Sequence, residues 1–197
     1  MKKAEITLLV LAFIGILFTF LHYPGSGVIT ILSFSSLSVM YMYFGFALFN
    51  NIRLRSIFKK ASYTGISRRR IIGGIGAGAA LSLSAIGMMF KFQSFPGTLI
   101  QLGIGLLALI IVAIISLVKN RKSTDAYYPN ILKRVISFAI VCTFLIVVPH
   151  KMWLTMKYPG YPEFVNAILE AEEDPDNQAL WDKVAEEEDK MRADFTD

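Results

Sequence analysis

The chain has 197 residues, 54% of them apolar, with a mean hydropathy of +0.53, and this exceeds the roughly 45–50% apolar content of ordinary soluble domains. Its net charge of +5 hides a split: residues 1–157 hold 17 Lys+Arg against 2 Asp+Glu, whereas residues 158–197 hold 3 against 13. The basic excess borders apolar blocks of about 20 residues, the length that crosses about 30 Å of hydrocarbon, so it reflects membrane topology and gives no reason to expect a nucleic-acid partner.

Met1-Lys2-Lys3 ahead of residues 6–21 has the outline of a signal peptide. The apolar run exceeds the usual 7–15 residues, and no small-x-small cleavage site precedes Tyr23-Pro24-Gly25. We therefore expect a retained first transmembrane helix over about 4–22. A second span follows at 28–49, carrying Ser33, Ser35, Ser36 and Ser38. Spacings of three place Ser33 with Ser36 and Ser35 with Ser38 on shared faces. Ser33 and Ser36 are a candidate polar path, although small hydroxyl residues equally suit close helix packing, the commoner use. The loop 51–70 contains Arg53, Arg55, Lys59, Lys60, Arg68, Arg69 and Arg70 with no acid between them, which assigns it to the cytoplasm and suits anionic headgroups.

The third span, 71–90, opens Ile71-Ile72-Gly73-Gly74-Ile75-Gly76-Ala77-Gly78-Ala79. It fails as a dinucleotide fingerprint, because Ala79 stands where glycine is needed, and no Lys-Ser/Thr follows for a phosphate loop. Gly74 and Gly78, four apart, instead define a small-residue face for a close helix crossing, by default within the chain. The fourth span covers about 98–118. The fifth covers about 132–150, with Cys142 inside it and Pro149 near its far end; one cysteine excludes an internal disulfide. His150, Lys151, Trp153 and Lys157 then read as interfacial anchors.

One pattern occurs three times: aromatic, four residues, aromatic, Pro, Gly. It runs from Phe18 to Tyr23-Pro24-Gly25, from Phe90 to Phe95-Pro96-Gly97, and from Trp153 to Tyr158-Pro159-Gly160. Pro-Gly suits the centre of a type II turn, and the ring before it suits the membrane boundary. The amino terminus, loop 51–70 and loop 119–134 together hold fourteen basic residues, against Lys91, Lys151 and Lys157 opposite. The amino terminus is thus expected inside, all three turns outside, and the acidic tail outside.

In that tail, residues 162–173 predict a surface helix presenting Phe164, Val165, Ile168 and Leu169. Asp174-Pro175 predicts the start of another, with Leu180, Trp181, Val184 and Met191 on one face and Glu186, Glu187, Glu188 and Asp189 solvated. The acids do not form an EF-hand, since no glycine follows Asp176 at the required place and Ala185 stands where Glu is needed. His22 and His150 sit at outer helix ends and could join tail carboxylates on a metal, a less economical reading than plain interfacial residues. Glu5 lies at a helix start and Asp125 in a loop, so no acid is expected within a membrane core, and no catalytic constellation can be picked out.

Phe90-Lys91-Phe92-Gln93-Ser94-Phe95-Pro96-Gly97, leading into an apolar helix, resembles the Phe-Lys-x-x-His-Trp-Pro-Gly turn of the GldL-like membrane proteins of Bacteroidetes gliding motility and type IX secretion; His22-Tyr23-Pro24-Gly25 is similar. The resemblance covers about 10–45 and 82–118 and implies a shared helical hairpin and a bacterial source. Those proteins have two spans, an intramembrane acid and a long cytoplasmic tail. This chain departs on each count, so their motor function is not carried over.

The expected fold is an all-α integral membrane protein of five transmembrane helices, built from repeated helix–(aromatic-Pro-Gly)–helix hairpins, with a helical acidic tail. Its parts are a first hairpin 1–50, a basic cytoplasmic loop 51–70, a second hairpin 71–118, a basic loop and fifth helix 119–157, and an extracytoplasmic tail 158–197. The expected function is a non-enzymatic, multi-pass inner-membrane subunit or scaffold that needs no cofactor and no metal. It would contact the lipid bilayer and a membrane-protein partner or second copy. The alternatives are a small transporter or channel through the Ser-rich second span, and a sensor whose tail binds a ligand or cation.

Overall fold

The computed structural model describes residues 1–121 and 126–194; Lys122 and Asp125 lie outside the described residues. The elements are α1 (Lys2–Phe20), α2 (Ser26–Phe49), α3 (Arg68–Gln93), α4 (Thr98–Asn120), α5 (Tyr127–Val147), α6 (His150–Lys157), α7 (Pro162–Glu173) and α8 (Gln178–Asp194). Two short 3-10 turns, Leu54–Ser56 and Lys60–Tyr63, lie between α2 and α3, and no strand occurs among the described residues. Helices α1 to α5 are long and apolar enough to cross a membrane; their 19 to 26 residues reach about 28–39 Å at 1.5 Å per residue. The chain divides into two compact units, residues 1–147 and 148–197.

In the first unit α3 is the hub, packed against α2, α4 and α5, while α1 lies on α2 and α5 on α4. Helix α3 starts three residues before the expected 71 because Ser67 caps it, its hydroxyl accepting from the Arg70 amide at 3.4 Å. Helix α5 starts five residues before the expected 132. Pro129 is no obstacle there, since the first turn of a helix tolerates proline. That shift places Lys133 and Arg134, expected to open the fifth span, about two turns inside the helix.

The aromatic-Pro-Gly pattern proves to be a helix terminator followed by a turn. His22 and Ser94 adopt left-handed φ values of 53° and 58°. The Tyr23 amide donates to the Phe18 carbonyl at 2.9 Å and His22 to Thr19 at 3.3 Å; Phe95 donates to Phe90 at 2.9 Å and Ser94 to Lys91 at 3.2 Å. These are the paired bonds of a Schellman cap, which carries an apolar contact across its ends. The aromatic spacing supplies that contact: the Phe18 and Tyr23 rings lie 5.1 Å apart, and Phe90 and Phe95 5.5 Å. Gly25 (φ 81°, ψ 0°) and Gly97 (φ 75°, ψ 8°) then take the positive-φ position of a type II turn. The Ser26 amide donates to the Tyr23 carbonyl at 3.2 Å, and the Thr98 hydroxyl to that of Phe95 at 2.5 Å.

Because Ser94 carries a side chain where glycine is strain-free, Ser94→Gly is expected to stabilise the protein by about 1 kcal/mol and Ser94→Val to destabilise it by a similar amount. Thermal midpoints of the detergent-solubilised variants check this.

The third copy departs from expectation. Helix α5 ends at Val147, Pro149 interrupts the chain, and the eight-residue α6 intervenes before Pro159-Gly160. Tyr158 has φ −124° and its amide bonds to the Leu154 carbonyl at 2.8 Å, so the Schellman cap is replaced by a single ordinary closure. Only the turn persists, with Gly160 at φ 92° and the Tyr161 amide donating to Tyr158 at 3.3 Å. No membrane-length arm runs directly into this turn.

In the second unit α7 packs against α6 and α8. Pro162 opens α7, which buries Phe164, Val165, Ala167 and Ala171 and leaves Ile168 and Leu169 half-buried. The Phe164 ring meets Tyr158 edge-on at 4.9 Å. Helix α8 begins at Gln178, not at Pro175. Asn177 caps it, its side-chain oxygen accepting from the Ala179 amide at 3.2 Å, and Asp174-Pro175 forms the preceding turn. Trp181, expected on the packed face, is exposed and donates its indole N–H to the Pro175 carbonyl at 3.0 Å. Glu187, expected in solvent, is only 15% exposed and pairs with Lys190 at 2.7 Å. Trp153 and Lys157 are buried rather than anchoring at an interface; burial lowers the Lys157 ammonium to about 8.

Candidate functional site

The only carboxylate in the first 124 residues is Glu5, and it is buried at 4% exposure. Arg134, about two turns into α5, grips it with both arms: Nε donates to Oε1 at 2.5 Å and the NH2 nitrogen to Oε2 at 2.6 Å. The Tyr41 hydroxyl of α2 donates to Oε1 at 2.9 Å. Three helices therefore converge on one carboxylate, and three donors on two oxygens fix its position. The guanidinium also donates to the Asn130 carbonyl at 3.0 Å and lies 5.8 Å from the Phe49 ring centroid. Tyr41 is fully enclosed, its ring edge-on to Phe138 at 5.6 Å. The planar fork matches a carboxylate in a way a lysine would not. Expectation placed Glu5 at a helix start and Arg134 at the opening of the fifth span, and so missed their meeting. The available signal was a lone acid beside a long apolar run.

The glycines make the other junction. A Cβ on Gly78 would lie 2.3 Å from the Tyr41 carbonyl oxygen, and one on Gly74 2.9 Å from the Phe46 Cα. Gly45 answers from α2, where a Cβ would lie 2.8 Å from the Gly78 Cα. Gly74 and Gly78 thus bring the α2 and α3 backbones into contact within the chain. Small residues recur at the other crossings: Gly15 on Thr30, Gly87 on Leu102 and Gly105 on Ser84. Nearby, the Tyr127 hydroxyl donates to the Arg70 carbonyl at 2.7 Å while the guanidinium of Arg70 stacks 4.7 Å from its ring, tying α3 to α5.

Ser33 and Ser36 do not share a surface. Ser33 is buried and Ser36 exposed, so the structure does not bring the candidate polar path together. Ser38 is bonded to Ser82 of α3 at 2.7 Å, and Ser35 donates to the Met89 sulfur at 3.5 Å. These hydroxyls fasten α2 to α3. Within the first unit, Tyr23-Pro24-Gly25 and Phe95-Pro96-Gly97 occupy the turns described above, and Tyr158-Pro159-Gly160 makes a turn of the second unit.

In the second unit His150 Nε2 lies 2.9 Å from a Glu172 oxygen, and Lys183 pairs with Glu170 at 2.7 Å. Among the described residues no group of three or more His, Cys, Asp or Glu is placed to hold a metal ion. Lys190 and Arg192 pair with Glu186, Glu187 and Glu188, so the tail's cations are matched and its excess acids remain.

Fold and cluster together define an all-helical protein with five helices able to span a membrane, tied at one end by a buried ion pair. No family model, curated protein or solved structure matches the chain.

Proposed function

We propose that the chain is a non-catalytic, multi-pass protein of the bacterial inner membrane that serves as a subunit or scaffold of a membrane assembly. Its amino terminus would face the cytoplasm and its acidic α7–α8 pair the other side, presented to a basic partner or a second copy. The observation that carries this reading is how the internal polar groups are used. Tyr41 and Arg134 both bind Glu5, Ser38 binds Ser82, and Thr30 and Ser84 bond to their own helices. Such groups set helix positions and leave little to line a route for solute. Outside, α4 keeps Ile100, Leu107, Ile111, Ile114 and Ile115 exposed, a surface that calls for lipid or another apolar helix.

Purification in mild detergent tests the reading. A particle larger than one chain, held together at moderate salt and loosened at high salt, is the expected result. A strict monomer with no co-purifying protein counts against it.

A further inference from the structure

We propose that the α1–α2 groove beside loop 51–67 is a binding site for an anionic phospholipid. The loop is not a floating basic strand. Ile52 and Ile57 are buried with Ala47, and Phe46, Tyr63 and Ile66 pack against them. The Tyr63 hydroxyl donates to the Ile57 carbonyl at 2.6 Å, and its ring stacks on Phe46 at 6.4 Å. This fixes the 3-10 turn Leu54–Ser56 over an open groove of about 440 Å³ lined by Ala4, Leu8, Ser36, Val39, Phe44 and Leu54. The lining is mainly apolar, with the Ser35 and Ser36 side chains the exceptions, and the size falls within the range of ligand sites.

Charge completes the site. Leu54 lines the groove, and its chain neighbours Arg53 and Arg55 are both exposed, as are Lys59 and Lys60. None of these four has an ion-pair partner among the described residues, and no acid lies anywhere between residues 51 and 70. Between them Phe58 is 98% exposed, a ring with nothing from this chain against it. An aromatic projecting from a cationic loop next to membrane-length helices belongs in the headgroup layer. An acyl chain would lie along Leu8, Val39 and Phe44, and the phosphate would meet Arg53 and Arg55. A zwitterionic lipid offers the same chains but a compensated headgroup, so the site discriminates by charge.

This inference rests on the membrane reading above. Recovery of the chain in the soluble fraction without detergent would overturn both. With protein extracted in a neutral detergent, native mass spectrometry measures retention of phosphatidylglycerol against phosphatidylcholine of identical chains. The expected preference is about tenfold or more, from two guanidinium groups at the headgroup. Arg53→Gln/Arg55→Gln is expected to abolish it, and Val39→Trp, which fills the groove at an exposed position, to abolish it as well. Ser36→Phe provides a second filling variant, and Cys142, the single buried thiol, reports that each variant is folded by staying unreactive. Equal retention of both lipids overturns the proposal. So does a preference that survives both groove-filling variants, which would mean loose surface attraction, and so does equal competition by soluble glycerol phosphate.

Discussion

Gly78→Leu is expected to separate α2 from α3 and to prevent recovery of a folded protein. The atom facing Gly78 is a main-chain oxygen of Tyr41, 2.3 Å from where a Cβ would stand, and main chain cannot swing aside as a side-chain tip can. Overpacking of a flexible core costs about 1–3 kcal/mol; here relief requires moving a whole helix, so even Gly78→Ala should reach the upper end of that range. Gly76 is the matched control, two residues away with nothing within 4 Å of its would-be Cβ. Gly76→Ala should be neutral or stabilising by about 0.5–1 kcal/mol, since alanine is the better helix former. The probe is built in: Cys142 is fully buried in α5, and its reaction with a thiol-specific dye on heating reports unfolding of the first unit. Comparable midpoints for Gly76→Ala and Gly78→Ala would show that the α2–α3 contact is not tight.

Arg134→Met is expected to destabilise the same unit by about 3–5 kcal/mol, because it strands a buried carboxylate. Glu5→Gln should cost less. A long, partly exposed arginine can turn its head outward, whereas Glu5 sits under cover. The double variant should recover much of the loss, and the coupling read from the cycle should be well above that of a surface pair. Tyr41→Phe removes one donor of three and should cost about 1–2 kcal/mol. Additive single and double effects would mean that the ion pair contributes nothing as a pair.

Much of the layout is legible in the chain because bilayer length and hydropathy leave few options for runs such as 98–118. Glycine spacing likewise marks Gly74 and Gly78, since bringing backbones together requires the absence of a side chain. What is not legible follows from capping and from distance. Pro129 permits an earlier start to α5, and that start decides whether Arg134 lies in the first turn or about two turns in. Asn177 outcompetes Asp174 as the cap of α8, although both are good capping residues. The meeting of Glu5 with Arg134 joins positions far apart in sequence, and neither neighbourhood names the other. The aromatic spacing is visible as a pattern, but its cause, a ring contact across a left-handed helix end, needs the positive φ of His22 and Ser94 to be seen.

The bond between α1 and α5 joins residues 129 positions apart. Synthesis runs from the amino to the carboxyl end, so the Glu5 carboxylate is made well before its arginine. Until α5 has formed, that acid has no guanidinium to meet it, and the ion pair closes only when the helices between are already in place.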